Sequence, residues 1–195
     1  MSHRFDPTVL REYDIRGIIG ETLGPDDARA IGRGFASLLR EAGGKKVAVG
    51  YDGRVSSPIL EHALIEGLTA SGCDVVRIGM GATPMLYYAE ASMGDVDGGI
   101  QITGSHNPAN YNGFKMVFQG RPFFGSDIQT IGQLAATGDW LDGSGNVETQ
   151  EIEDDYVARL LQGLDGIDHS KLETLKIGWD AGNGAAGPVL EKLAA

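Results

Sequence analysis

Gln101-Ile102-Thr103-Gly104-Ser105-His106-Asn107-Pro108 reads as a buried strand running directly into a polar turn. Gly98 to Thr103 supplies the strand, with Ile100 and Ile102 in apolar alternation. Beyond it, Gly104 is expected to take a backbone conformation closed to residues with a side chain, Asn107 to close an Asx turn, and Pro108 to fix φ where the chain leaves. Ser105 is thereby predicted on a stiff, exposed tip at a strand end, where open α/β sheets present reacting groups.

Upstream, Arg11 to Ile19 reads as a strand with Tyr13 and Ile15 on one face and Asp14 and Arg16 on the other. Pro25 to Ala42 has the stripe of a helix (Ile31, Phe35, Leu38, Leu39), opened by Pro25 and two aspartates and stopped by Gly43-Gly44. Lys46 to Tyr51 is a strand, Ser57 to Ser71 a helix, Val75 to Ile78 a strand, and Thr83-Pro84 opens a further helix whose core face holds Met85, Tyr88 and Ala89. That rhythm is βαβ. Downstream, Asn112-Gly113 suits a tight turn, Phe114 to Phe118 a strand, and Arg121 to Phe124 the return arm of a hairpin, so the sheet should be mixed. Ser126 is expected to cap a helix to Ala136, Thr137 to Gln150 to be a loop, and Glu151 to Leu164 a helix with Tyr156, Val157, Leu160 and Leu161 inward. Leu175 to Trp179 reads as a new strand, and Asp180 to Gly187 as a glycine-rich turn into a last helix. The predicted class is α/β: a three-layer α/β/α domain with a mixed, mostly parallel sheet, then the first β-α unit of a second.

With 16 basic and 27 acidic side chains the net charge is −11, which argues against nucleic acid or an anionic membrane as partner. The same charge repels phosphorylated ligands, so a phosphate site must be local. No leader pattern opens the chain and no apolar run reaches the roughly 20 residues of a membrane helix, so a soluble, cytoplasmic protein is expected. The single cysteine, Cys73, reads as a buried small hydrophobe, with a reactive thiol as the alternative. Asp95-Val96-Asp97 lacks further spaced carboxylates and lies at the wrong end of the serine strand for a metal site.

Thr103-Gly104-Ser105-His106-Asn107-Pro108, with Asn112-Gly113-Phe114-Lys115, resembles the serine loop of the α-D-phosphohexomutases, in the phosphomannomutase/phosphoglucomutase branch. Three more segments match in order: Tyr13-Asp14-Ile15-Arg16-Gly17, Gly50-Tyr51-Asp52-Gly53-Arg54 and Asp180-Ala181-Gly182-Asn183-Gly184-Ala185-Ala186-Gly187. The resemblance spans nearly the whole chain. It implies that residues 1–136 form the family's first domain, 137–170 a linker and connecting helix, and 171–195 the start of a second domain of similar build.

The resemblance also implies chemistry: a phosphoserine at Ser105 gives its phosphate to a hexose 1-phosphate or 6-phosphate, passing through a 1,6-bisphosphate that also serves as activator. Nothing in the sequence supplies a Ser-His-Asp relay or a G-x-S-x-G elbow, whereas phosphoryl carriage needs only backbone N–H groups, a divalent metal and nearby cations. His106, adjacent in an extended segment, is expected to point away from Ser105, and reads evenly as a loop anchor or an accessory acid–base group. Arg16 is open between an ion pair with Asp14 and phosphate contact, the resemblance favouring the latter. Arg54 is open between a phosphate-directed cation and a clamp behind the serine loop. Between Ile78 and Ala158 the only cations are Lys115 and Arg121, against eleven acids. Lys115 is therefore open between a solvated lysine and a phosphate or proton-handling group; the resemblance points it into the site, with Tyr13 as a further substrate contact. Mg²⁺ would be held by the phosphate on Ser105 and by an Asp-Gly-Asp-Gly-Asp loop that this sequence does not contain. The partner expected is a small sugar phosphate, and only the donor half of its site is present, so the 195 residues alone are expected to be inactive.

Overall fold

The computed structural model describes residues 2–168, 170 and 174–195. Seven strands form one sheet: β1 (Ile15–Ile18), β2 (Lys46–Tyr51), β3 (Asp74–Met80), β4 (Gly98–Ile102), β5 (Tyr111–Phe118), β6 (Arg121–Phe123) and β7 (Val147–Thr149). Their order is β1-β5-β4-β2-β3-β7, with β6 also on β5. β2 pairs parallel with β3 and β4, and β3 with β7, while β5 is antiparallel to β1, β4 and β6. Six strands therefore point one way and β5 alone runs against them, which makes the sheet mixed and mostly parallel.

The helices are α1 (Pro25–Glu41), α2 (Ser57–Ala70), α3 (Thr83–Ser92), α4 (Ser126–Thr137), α5 (Glu153–Leu161), continued by a 3₁₀ turn, and α6 (Gly187–Ala194). α1, α2 and α4 cover one face, where Ile31, Phe35, Leu64 and Ile131 pack on Val47, Val49, Ile100, Ile102 and Phe114. On the other face Met85, Leu86 and Ala89 of α3 meet Ala48, Val76 and Ile78. Val47 and Val49 thus face one layer and Ala48 the other, the period of two that a sheet covered on both sides requires. α1 and α2 cross at two glycines: a Cβ on Gly32 would lie 2.3 Å from the Leu64 carbonyl oxygen, and one on Gly67 2.1 Å from that of Arg29.

The chain passes from β2 through α2 to β3 on one side and returns through α3 to β4 on the other side of β2. The strand order reverses between β2 and β4, and a crevice opens at the carboxyl ends of strands at such a point. Cys73 is fully buried, and burial pushes its thiol up to about 11. The native chain at pH 8 is expected to resist a water-soluble thiol reagent and to react fully in urea; labelling at comparable rates in both would show the cysteine to be accessible.

Several expectations are corrected. β1 begins only at Ile15, because the ladder with β5 starts at Ile15↔Phe114; Arg11 N–H bonds the Asp14 carbonyl in a turn, and Tyr13 is 76% exposed instead of sharing the buried face of Ile15. Asn112-Gly113 is no turn but the start of β5, and a Cβ on Gly113 would lie 2.1 Å from the Ile15 carbonyl oxygen. The tight turn falls at Gln119-Gly120, where φ of +48° and +76° joins β5 to β6. The N-cap of α4 is Gly125, not Ser126. The 137–150 segment carries β7, which adds to the β3 edge. In α5 Val157 is buried, while Leu160 and Leu161 are exposed. Leu175 to Trp179 forms no strand: Leu175, Ile177 and Trp179 are exposed, and a strand exists only where a neighbour takes up its backbone groups. Residues 171–173, where the second domain was expected to begin, lie outside those described.

Candidate active site at the serine loop

Ser105 is exposed and takes φ +51°, a left-handed conformation uncommon for a residue with a side chain. It was Gly104 that the sequence suggested for this strain. Gly104 instead answers a lack of space: a Cβ there would lie 1.9 Å from Arg54 Nε and 2.0 Å from Cζ.

Arg54, carried past the end of β2, has all five of its N–H donors engaged, four of them on the loop and the start of β5. Nη1 donates to the carbonyls of Pro108 (2.6 Å) and Tyr111 (3.0 Å), Nη2 to those of Asn107 (2.7 Å) and Ser105 (3.1 Å), and Nε to Asp52 Oδ2 (3.2 Å). A planar fork can meet four carbonyls at once because its donors are fixed in direction. Of the two readings open for Arg54, this geometry is the clamp; as a phosphate ligand it has no donor left.

Asp52 is equally committed. Oδ1 accepts from Arg54 N (3.1 Å) and Ser57 Oγ (2.8 Å), and Oδ2 from Gly104 N (2.9 Å) as well as Arg54 Nε. Asn112, fully buried, donates from Nδ2 to Ser56 Oγ (2.9 Å) and Ser57 Oγ (3.0 Å), tying β5 to the start of α2. Sequence reading quoted both residues inside motifs and gave neither a role. A carboxylate directly after an apolar strand, two residues before an arginine, was the available signal.

Arg16 lies behind the loop at 2% exposure. Its Nη1 donates to the Gly104 carbonyl and its Nη2 to Asp14 Oδ2 (2.5 Å), and its Nε is the one buried side-chain polar atom without a partner among the described residues. It pairs with Asp14 below the surface and supports the loop; its burial sets it back from the cleft. Lys115 Nζ stands 3.6 Å from the same Asp14 oxygen. With Tyr13, Tyr87 and Phe124 it lines a separate hollow of about 270 Å³. The structure thus gathers Ser105, His106 and Arg54 at one loop, and places Lys115 and Tyr13 beside it, joined through Asp14 and Arg16.

Ser105 Oγ is 3.3 Å from His106 Nδ1. The expectation that neighbouring side chains diverge assumed an extended backbone, and the left-handed φ of Ser105 removes that premise. Ser105 N donates to Thr103 Oγ1 (2.8 Å), and Asn107 closes the loop with N (3.0 Å) and Nδ2 (3.1 Å) on the Gly104 carbonyl.

The loop opens on a cleft of about 1060 Å³ lined by Asp52 to Ser56, Ala82, Thr83, Thr103, Ser105, Asn107 and Asn183 to Ala185, among others. Its lining carries two charged side chains, Asp52 and Arg54, paired with each other. The N-caps of α2 and α3, Ser56 and Ala82, lie in its wall, where the helix dipole favours anions. A chain of charge −11 therefore holds one region suited to phosphate. The residues described do not fit a magnesium centre by themselves: Asp52, the one carboxylate lining the cleft, has its oxygens filled, and no group of three His, Cys, Asp or Glu converges among them. Asp95 and Asp97 are spent on Lys46 Nζ (2.7 Å) and on the backbone N–H of Lys45 (2.6 Å).

A serine fixed at the switch point of a doubly wound α/β/α sheet, facing a cleft walled by the starts of two helices, defines an α/β domain whose candidate site lies at the carboxyl ends of its strands. The chain belongs to the phosphoglucomutase/phosphomannomutase family: residues 7–142 match its alpha/beta/alpha domain I. A phosphomannomutase/phosphoglucomutase of Pseudomonas putida is 40% identical over 186 residues, and a phosphoglucomutase of Neisseria meningitidis 41% over 189. Each match covers 95% of this chain and 39% of the relative, so the chain spans about two-fifths of their length. A crystal structure of a phosphoglucomutase/phosphomannomutase family protein from Burkholderia thailandensis superposes with a TM-score of 0.84 at 41% identity, over 97% of this chain and 42% of that one.

Proposed function

We propose that this chain is the serine-bearing part of a phosphohexomutase that interconverts hexose 1-phosphate and hexose 6-phosphate through a phosphoserine at Ser105 and a 1,6-bisphosphate. The observation that carries this reading is the clamped, left-handed Ser105 at the mouth of the cleft. In the transfer the bond between Ser105 Oγ and phosphorus breaks as a sugar hydroxyl oxygen bonds to phosphorus; the hydroxyl proton passes to a base and Oγ takes one up. His106 Nδ1, in reach of Oγ, supplies that second proton, and Lys115 receives the first or holds the sugar's other phosphate. Mg²⁺, when bound at the phosphoserine, would neutralise charge on the transferring group. This chain contributes one ligand to it, and the remainder belongs to the longer polypeptide whose other part completes the site. A phosphoglucosamine mutase is the alternative, against which stands Phe114 in Asn112-Gly113-Phe114-Lys115, since in that branch isoleucine tends to occupy the place.

In the full-length enzyme, Ser105→Ala is expected to abolish phosphate uptake from glucose 1,6-bisphosphate, read as the absence of the 80-dalton gain that one phosphoryl group adds to the intact mass. A labelled Ser105→Ala protein would overturn the assignment.

A further inference from the structure

We infer that the Asp180–Gly187 turn is a working wall of the serine cleft, and that Asn183 contacts the phosphate of the sugar phosphate held at Ser105; this rests on the reading of Ser105 given above. Asn183, Gly184 and Ala185 line the same cleft as Ser105, Arg54 and Asn107. The turn abuts the segment between β2 and α2 that carries Arg54: a Cβ on Gly53 would lie 4.0 Å from the Asn183 carbonyl oxygen.

This placement is held from within and from behind. Asp180 Oδ1 accepts from Gly182 N (2.8 Å), Gly182 takes φ +54°, and Gly184 N donates to the Ala181 carbonyl (3.0 Å). α6 follows the turn and rests on α5, with Val189 buried and Lys192 paired to Glu153 (2.7 Å) and Asp154 (2.5 Å). α5 in turn meets α3 through Tyr156 and Tyr88, whose rings are 5.5 Å apart. Since α3 begins at the cleft wall with Ala82 and Thr83, the turn and the serine loop are joined by a closed path of packed elements, although residues 175–179 form no strand.

The chemistry follows from what the cleft has already spent. Arg54 has no donor left and Asp52 no free oxygen, so phosphate oxygens there must be met by neutral donors. Asn183 is exposed and its amide has no partner among the described residues; two N–H donors on a short side chain suit a phosphate oxygen.

The test is titration of the ¹⁵N-labelled 195-residue chain with glucose 1,6-bisphosphate, followed by NMR. Backbone signals of Ser105 and His106 and the side-chain amide of Asn183 are expected to move with one common Kd. Asn183→Asp, which keeps shape but replaces the donor with a charge, should weaken that Kd roughly 10-fold or more, with the free-state signals of the serine loop unchanged. Movement at Ser105 without movement at Asn183, with an unchanged Kd for the variant, would overturn this inference and leave the proposed function standing. No movement at Ser105 would overturn both.

Discussion

Arg54→Ala is expected to release the serine loop and to lower the stability of the chain by about 3 kcal/mol, the scale for removing one partner from a mostly buried charged pair. The side chain is only 15% exposed. Its loss strips a donor from four carbonyls and leaves the Asp52 charge with only neutral donors, two backbone N–H groups and the Ser57 hydroxyl. Arg54→Lys should recover little, because one ammonium cannot reach four carbonyls fanned across three residues of loop and the start of β5. Gly104→Ala should mimic the arginine deletion: its methyl would occupy the place of Nε and Cζ, and a guanidinium fixed by five bonds cannot yield as a free chain end can. The double variant should then cost no more than the worse single one, since each removes the same contact. Urea unfolding read by circular dichroism measures all four; additive losses, or an Arg54→Ala midpoint equal to wild type, would show that the clamp does not support the fold.

Gly67→Ala should destabilise the chain by roughly 2 kcal/mol net, against the ordinary direction of a glycine-to-alanine change in a helix. Propensity alone favours alanine by about 1 kcal/mol. At this position the added methyl would stand 2.1 Å from a backbone carbonyl of α1, which no rotamer change can move, so the helices must part around Leu64, Leu68 and Phe35. Overpacking of that kind costs 1–3 kcal/mol and sometimes more, and separation adds cavity on both sides. A raised denaturation midpoint would mean that the α1–α2 crossing tolerates the shift.

The strands and helices that bury a clear apolar face were legible in the sequence nearly to the residue: β2 matched Lys46 to Tyr51, and α1 ended one residue before the predicted limit. Their periodicity and breakers are local. What was not legible depended on distant partners. Asn112-Gly113 has the composition of a turn, yet β1 passes so close that only glycine fits, and the pair lies in a ladder. Val147–Thr149 is polar and exposed and becomes a strand only because β3 offers an edge. Leu175 to Trp179 has the pattern of a strand and, among the described residues, no edge to join. At the site, Ser105 was singled out from its motif and Asp14 as a possible partner of Arg16, whereas Asp52 and Asn112 were passed over because their value lies in the bonds they close across the sheet.

The serine loop joins β4 to β5, neighbours in sequence and in the sheet, so its strands belong to a hairpin that can form locally and early. The grip that sets the Ser105 backbone comes from Arg54, 51 residues away. Ordering it requires closing a long chain segment, an entropic cost met only when β2 has joined the sheet. A short peptide copying residues 98–118 would carry the whole motif and none of its conformation. The left-handed backbone of Ser105 is thus expected to be set late in folding, as a property of the finished domain.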